Sequence, residues 1–153
     1  MKSGETLWTT REDWYAVGSD PGGGRFYIGG GVRGLAAIDS ANGNLVWQSD
    51  FPVRSVTADR ERVYVPRQRT VICLDAKSGR RLWAVHLPDG AGRPVRAGDL
   101  LYSPSGVDAG LSIVDAVSGK ARGGGMASND NYPPTVAGGR LLLTDGNRLR
   151  AYF

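Results

Sequence analysis

The sequence predicts an all-β protein made of four repeated units, and three observations lead to this fold class. Short segments rich in β-branched and aromatic residues recur along the 153 residues, and glycine, asparagine, aspartate or proline bounds each of them. No segment of ten or more residues carries apolar side chains at helical spacing. A pattern of aspartate, glycine and tryptophan returns at fixed offsets, which indicates a repeat architecture.

The first two units contain the full pattern, in which glycine follows aspartate by four residues and tryptophan follows glycine by four. In the third unit Gly123 stands where the tryptophan is expected. The aligned residues are Asp39, Gly43 and Trp47, then Asp75, Gly79 and Trp83, then Asp115 and Gly119. The aspartate and the glycine predict a tight turn, because aspartate caps free backbone N–H groups and glycine tolerates a positive φ.

The fourth unit is divided between the two ends of the sequence. Three residues at the end of the chain, Leu149, Ala151 and Tyr152, match Leu35, Ala37 and Ile38, and Phe153 takes the aspartate position. At the other end, Gly4 and Trp8 continue the pattern. Joining the last residue to the first would restore the spacing of four and four with no residue gained or lost.

Each unit has about 38 residues, which is enough for four short antiparallel strands. Four such strands, repeated, are typical of the blades of a β-propeller. We therefore expect one β-propeller domain, residues 1–153, with four blades. The fourth blade is expected to take its third strand from residues 149–153 and its outermost strand from residues 5–9.

The run "AIDSANGNLVW", residues 37–47, resembles the tryptophan-docking motif of the pyrroloquinoline-quinone-like repeat family of quinoprotein β-propellers. The second copy keeps Asp75, Gly79 and Trp83, with Cys73 in place of alanine. The resemblance implies that each tryptophan lies flat between two blades, on backbone near a glycine, with its indole N–H on a carbonyl group. Because a tryptophan buries about 200 Å² and has one donor to place, the motif predicts architecture and not chemistry.

The edges of the sheet must be covered for such a ring to be stable, and the sequence leaves three arrangements open. Four blades can close on themselves. Two chains can pair residues 5–9 of one with residues 149–153 of the other, which would form an eight-bladed ring. Alternatively, the chain is an excised or engineered piece of a longer propeller, with both edges open.

The composition argues against several classes of protein. The net charge is +4, but the arginines are scattered, which favours a solvated surface over nucleic-acid binding. No apolar run approaches the roughly 18 residues of a membrane span, and no secretory signal is visible at Met1. The chain as written therefore reads as cytoplasmic, although resembling families are often extracytoplasmic. Cys73, the single cysteine, is predicted to be a core residue.

The resemblance also implies one enzymatic alternative, part of a quinone-dependent dehydrogenase. Such enzymes hold their cofactor over the channel with a cation, acidic ligands and a base. This sequence has no Asp/Glu cluster beyond the turn aspartates, and its only histidine, His86, is predicted on an outer strand. We predict no catalytic residue, no metal site and no cofactor.

Two similar runs, "PVRSV" with Arg54 and "PVRAG" with Arg96, provide the best candidate for a binding site. Both arginines are predicted near the start of an innermost strand, where they could bind an anion in the channel. The alternative is that they are solvated or paired with Asp59 and Asp99. Trp14 and Tyr15, at the corresponding strand of the first blade, could add an aromatic wall.

These observations favour a non-enzymatic β-propeller scaffold or binding module that acts through protein or ligand interactions. The expected partners are a second copy of the chain, through ring closure, or another protein. No nucleic-acid partner is expected.

Overall fold

The computed structural model describes residues 4–10, 13–30, 33–104, 110–126, 134–145 and 148–152, and each regular element in them is a β-strand. The prediction of an all-β chain is therefore confirmed. The strands form four antiparallel sheets, and each sheet consists of strands that are consecutive in the chain. We number these sheets as blades 1 to 4. Phe153 lies outside the described residues.

Blades 1 to 3 have four strands each. Blade 1 contains β1 (Tyr15–Ser19), β2 (Arg25–Gly30), β3 (Gly34–Asp39) and β4 (Leu45–Ser49). Blade 2 contains β5 (Thr57–Ala58), β6 (Arg62–Arg67), β7 (Thr70–Asp75) and β8 (Arg81–His86). Blade 3 contains β9 (Val95–Ala97), β10 (Leu100–Pro104), β11 (Leu111–Asp115) and β12 (Ala121–Met126).

Blade 4 has three described strands, which are β13 (Thr135–Ala137), β14 (Arg140–Asp145) and β15 (Arg148–Tyr152). Residues 4–10 belong to no strand, so in the described part of this chain β15 has no neighbour on its outer side. The tryptophan of that segment, Trp8, lies instead against blade 1, where it packs beside Ile28, Ala36 and Ile38.

The turn between the third and fourth strands has the same structure in blades 1 to 3. In blade 2 the backbone N–H of Gly79 donates to the carbonyl of Asp75 at 2.8 Å, and Gly79 has a φ of +71°. Cys73 of β7 pairs with Trp83 of β8, and the register of this ladder shifts between Cys73 and Leu74. Asp39 and Asp115 open equivalent turns, with N–H to carbonyl distances of 2.9 Å from the glycines four residues later.

The first strand of each blade lies at the centre of the arc. β1 contacts β5, and β9 contacts β13, so these short strands line the inner side while β4, β8 and β12 lie outside. We call the side of a blade that faces the next blade in the chain its forward face, and the opposite side its back face.

Neighbouring blades join through apolar cores. The forward face of blade 1 packs on the back face of blade 2 through Tyr27, Leu35, Ala37, Trp47, Val63, Val65, Leu74 and Ala76. The next core contains Tyr64, Val71 and Cys73 from blade 2 with Leu101, Val114 and Ala116 from blade 3. Each fully buried leucine contributes roughly 1.5–3 kcal/mol, so the chain is held together chiefly by contacts between adjacent blades.

Candidate functional site

Three tryptophans lie on the turns of the blades that follow them. A Cβ placed on Gly43 would lie 2.7 Å from ring atoms of Trp8, and a Cβ on Gly79 would lie equally close to Trp47. The turn glycine must therefore be glycine for two reasons, its positive φ and the ring that covers it. The indole N–H of Trp47 donates to the carbonyl of Ala76 at 2.9 Å. These residues pack successive units against each other, and Gly43 also lines a depression beside Thr9 and Thr10.

The remaining two docking positions differ. Gly119 has Trp83 against it, with a Cβ-to-ring distance of 2.7 Å, but the indole nitrogen of Trp83 is buried without a hydrogen-bond partner among the described residues. Gly4 adopts φ +69°, similar to the other turn glycines, yet no described atom lies within 4 Å of its Cβ position. Gly123 stands at the place from which a tryptophan would reach the turn of blade 4.

The turn aspartates act as caps. The Oδ1 atom of Asp75 accepts the backbone N–H and the hydroxyl of Ser78, both at 2.7 Å. The Ser78 hydroxyl lowers the pKa of Asp75 because it stabilises the carboxylate. Asp39 accepts backbone N–H groups of its own turn, the closest at 2.9 Å. A guanidinium nitrogen of Arg122 lies 2.8 Å from Asp115, and this bond holds the pKa of that carboxyl well below its usual range.

A cavity of about 800 Å³ lies on the inner side of the arc, where residues of all four blades meet. Blade 2 contributes residues 57–59, blade 3 contributes residues at 93–99 and blade 4 contributes residues 134–136, while Pro21 comes from the turn after β1. Its charged wall residues are Asp59, Arg93, Arg96 and Asp99. The size is within the range of small-molecule and peptide-side-chain sites.

A buried carboxylate organises one wall of this cavity. Asp59, which is 8% exposed, accepts the backbone N–H groups of Glu61 and Arg62 on Oδ1, each at 2.8 Å. Its Oδ2 accepts the hydroxyl of Tyr64 at 2.9 Å and lies 2.9 Å from a guanidinium nitrogen of Arg96. Asp59 thus joins blade 2 to blade 3 by an ion pair. All acceptor positions of the carboxylate are in use.

Arg96 consequently has a structural role as well as a place in the cavity wall. Its side chain is 31% exposed, and its Nε atom is buried without a hydrogen-bond partner in the described part of the chain. Of the two interpretations offered by the sequence, pairing with Asp59 is the one that the geometry shows. The remaining guanidinium surface faces the cavity.

Arg93 is the cavity residue that the sequence patterns did not single out. It is exposed, it lines the cavity, and it also borders a second depression beside Phe26 and Val56. It makes no ion pair or hydrogen bond with any residue that the structure describes. Its position just before β9 was the one signal that could have identified it.

The other predicted residues lie elsewhere. Arg54 is exposed, precedes β5 by three residues and is not part of the cavity wall. The hydroxyl of Tyr15 donates to the carbonyl of Val53 at 2.7 Å, so it joins blade 1 to the segment before blade 2. Trp14 packs against the same apolar cluster of blade 1 as Trp8. The structure brings Arg96 to the cavity and separates it from Arg54, Trp14 and Tyr15.

Three buried titratable side chains lie in the inter-blade cores. Burial raises the pKa of the Cys73 thiol to about 12 and that of the Tyr27 hydroxyl to about 12. The pKa of Tyr64 is also raised, by burial and then by the negative charge of Asp59. These groups therefore stay protonated at neutral pH. Cys73 is a buried core residue.

The described residues contain neither a cluster of metal ligands nor a helix that could cross a membrane. No group of three or more His, Cys, Asp or Glu side chains is arranged to hold a metal ion there. None of those residues forms a helix of the length and apolarity that a membrane crossing requires.

Comparison with solved structures supports a β-propeller. BamB from Moraxella catarrhalis is 20% identical with a TM-score of 0.74, over 89% of this chain and 45% of that one. The computationally designed Ika4 protein is 10% identical with a TM-score of 0.78, over 98% of both chains. Quinohemoprotein alcohol dehydrogenase from Comamonas testosteroni is 22% identical with a TM-score of 0.53, over 66% of this chain and 19% of that one. The chain thus spans about half the length of BamB.

No curated protein matches the chain. A family model described as outer membrane protein assembly factor BamB matches residues 1–86 and again residues 67–152. The two matches together extend from residue 1 to residue 152, and the fold agrees with them. The chain therefore belongs to the pyrroloquinoline-quinone-like β-propeller family that this description denotes.

Proposed function

We propose that the chain is a non-enzymatic β-propeller scaffold that binds a partner protein through the cavity on the inner side of the arc. The observation that carries this proposal is Arg93, a cation that has no ion-pair partner among the described residues and lies on a wall to which all four blades contribute. The family description as an outer membrane protein assembly factor supports a role in binding other proteins.

The chemistry of the cavity wall supports binding over catalysis. Asp59 is saturated by two backbone N–H groups, one hydroxyl and one guanidinium group, so it has no acceptor position left for a general base. The raised pKa of Tyr64 keeps its hydroxyl protonated and bonded. The charges that remain available to a ligand are Arg93, the cavity side of Arg96 and the exposed carboxylate of Asp99.

The ligand class follows from these charges. A guanidinium group with free N–H donors recognises a carboxylate through two parallel hydrogen bonds. We therefore assign an acidic segment of a partner protein to the cavity, with a glutamate or aspartate side chain on Arg93. The net charge of +4 would assist its approach at low ionic strength.

Calorimetric titration with a hexaglutamate peptide tests this assignment. Arg93→Gln should weaken binding about tenfold or more, because a hydrogen bond to a charged group contributes roughly 1.5–3 kcal/mol. Arg54→Gln is the matched control, since Arg54 is also exposed but lies outside the cavity. Equal weakening by the two substitutions, or no effect of Arg93→Gln, would exclude the cavity as the binding site.

A further inference from the structure

The third strand of blade 4 exposes a position that is buried in the other blades. This position lies four residues before the aspartate position of each unit. It is occupied by Leu35, Val71 and Leu111 in blades 1 to 3, with exposed fractions of 0%, 0% and 1%. In blade 4 it is occupied by Leu149, which is 67% exposed. In blades 1 to 3 this side chain packs on the following blade, and a fourth strand pairs beside it. In the described part of the chain, blade 4 has neither a following blade nor a fourth strand beside β15.

The back face of blade 1 shows the complementary exposure. Phe26 in β2 is 40% exposed, whereas Val63 and Leu101, its equivalents in blades 2 and 3, are fully buried against the preceding blade. Phe26, Val63 and Leu101 are equivalent because each comes one position after the second-strand residue that pairs with the turn aspartate of its blade. In the part of the chain that the structure describes, blade 1 therefore lacks the cover that a complete preceding blade would provide.

One part of that missing blade is already in place on blade 1. Trp8 lies 6.1 Å from Phe26, measured between ring centroids, and its indole N–H donates to the carbonyl of Ser40 at 3.0 Å. The distances from the ring atoms of Trp8 to a Cβ placed on Gly43 equal those from the ring atoms of Trp47 to a Cβ placed on Gly79. The segment at residues 4–10 thus occupies the outer-strand position of a blade that precedes blade 1. Its neighbouring side chains are exposed, with Leu7 at 85%.

The register in which β15 would pair with residues 4–10 can be read from the complete blades. In blade 2 the third and fourth strands pair antiparallel, and the repeat transfers this register to blade 4. The pairs in blade 2 are Val71 with Val85 and Cys73 with Trp83, and their equivalents are Leu149 with Thr10 and Ala151 with Trp8. An open strand edge and an unpaired segment of matching register are complementary surfaces.

We propose that a second copy of the chain completes the ring, with residues 4–10 of each copy added as the outermost strand beside β15 of the other. Within one copy these two surfaces do not meet, since Leu149 is open to solvent while Trp8 is seated on blade 1. A two-fold axis joins both pairs of surfaces with identical contacts. Because the chain covers 45% of the BamB chain, two copies approach the length of that relative.

Disulfide trapping tests both the partner and the register. The variant combines Leu149→Cys and Thr10→Cys with Cys73→Ala, so that the two new thiols are the only ones. Directly paired residues on antiparallel strands have Cα atoms about 4.5–5.5 Å apart, a separation that a disulfide spans. Oxidation should convert the chain to a covalent species of twice 16.3 kDa. The control, Val117→Cys with Thr10→Cys in the same background, should not cross-link.

The outcomes separate the possible arrangements. A bridge formed within one chain, at a mass of 16.3 kDa, would overturn the proposal and indicate a self-closed four-bladed ring. Failure to cross-link would overturn it as well. A second measurement, light scattering of Leu149→Lys over a range of concentrations, should show the dimer weakened at least about thirtyfold, as for a central interface residue. Val117→Lys, at another exposed aliphatic residue, should leave the mass unchanged.

Discussion

Trp47 of blade 1 donates its indole N–H to the carbonyl oxygen of Ala76 in blade 2 at 2.9 Å. The equivalent nitrogen of Trp83 is buried and has no hydrogen-bond partner among the described residues. Both rings lie on a turn glycine at nearly the same distance. The two junctions therefore share their packing and differ in one hydrogen bond.

This difference can be measured with matched substitutions. Trp47→Phe should lower the free energy of unfolding by about 1 kcal/mol more than Trp83→Phe, because only the first removes a hydrogen bond and leaves a buried carbonyl unpaired. Urea unfolding of the two variants and the parent gives the comparison. Equal losses would contradict the hydrogen-bond pattern of the two junctions.

The turn glycine of blade 2 should be sensitive to a single methyl group. In Gly79→Ala the residue must keep a φ of +71°, which costs about 1–2 kcal/mol, and its Cβ would lie 2.7 Å from the ring of Trp47, which adds about 1–3 kcal/mol. Gly98→Ala is the control, since Gly98 has φ +58° and open space around its Cβ position. Thermal unfolding should show the larger loss for Gly79→Ala. Similar losses would mean that the ring yields to the methyl group.

Removing the charge of Asp59 should destabilise the junction of blades 2 and 3. Asp59→Asn turns an amide NH₂ group toward Arg96 and the Tyr64 hydroxyl, so we expect a loss of about 2–4 kcal/mol in the free energy of unfolding. Asp99→Asn, at an exposed carboxylate on the same cavity wall, should change it by less than about 0.5 kcal/mol.

A double-mutant cycle assigns part of that loss to the ion pair. Asp59→Asn and Arg96→Met should be non-additive, since the two side chains are 2.9 Å apart. Additive effects would show that the pair contributes nothing to stability. Because the Arg96 side chain is about one-third exposed, solvent screens the ion pair. We therefore expect the ion pair to account for less than half of the free energy that Asp59→Asn removes.

The fold should lose stability at alkaline pH. The thiol of Cys73 has a folded pKa of about 12 against 9.0 for the ordinary group. Its contribution is complete below pH 9 and declines as the pH rises toward 12, because only the unfolded chain ionises there. Cys73→Ala should therefore remove about 1 kcal/mol of the loss between pH 8.5 and 10. Urea unfolding under reducing conditions at both pH values tests this, and an unchanged pH dependence would contradict it.

The repeat could be predicted from the sequence because its signals are local. Alternation along a strand, an aspartate that caps its own turn and a glycine at positive φ each depend on a few neighbouring residues. For this reason the turns at Gly43, Gly79 and Gly119 lie where the spacing placed them.

The arginine pair shows where this reasoning stops. Arg54 and Arg96 stand in nearly identical runs, yet Arg96 pairs with Leu101 inside β9 while Arg54 precedes β5. The residue equivalent to Leu101 in blade 2 is Val63, and it pairs with Ala58. Arg54 therefore stands four residues before the position that corresponds to Arg96, although the two runs look alike. Arg93 lines the cavity without an ion-pair or hydrogen-bond partner among the described residues. It belongs to no sequence motif and is identified by the residues that surround it.

By itself the sequence determined four β units with an aspartate, glycine and tryptophan spacing, because strand alternation and turn chemistry are encoded within a few residues. Only the tertiary structure decided that Arg96 is neutralised by Asp59 of the neighbouring blade and that Leu149 faces solvent while Leu35 does not. Both observations depend on contacts between blades, which are formed by residues far apart along the chain. A local pattern cannot specify which surface will cover a residue after the chain has folded.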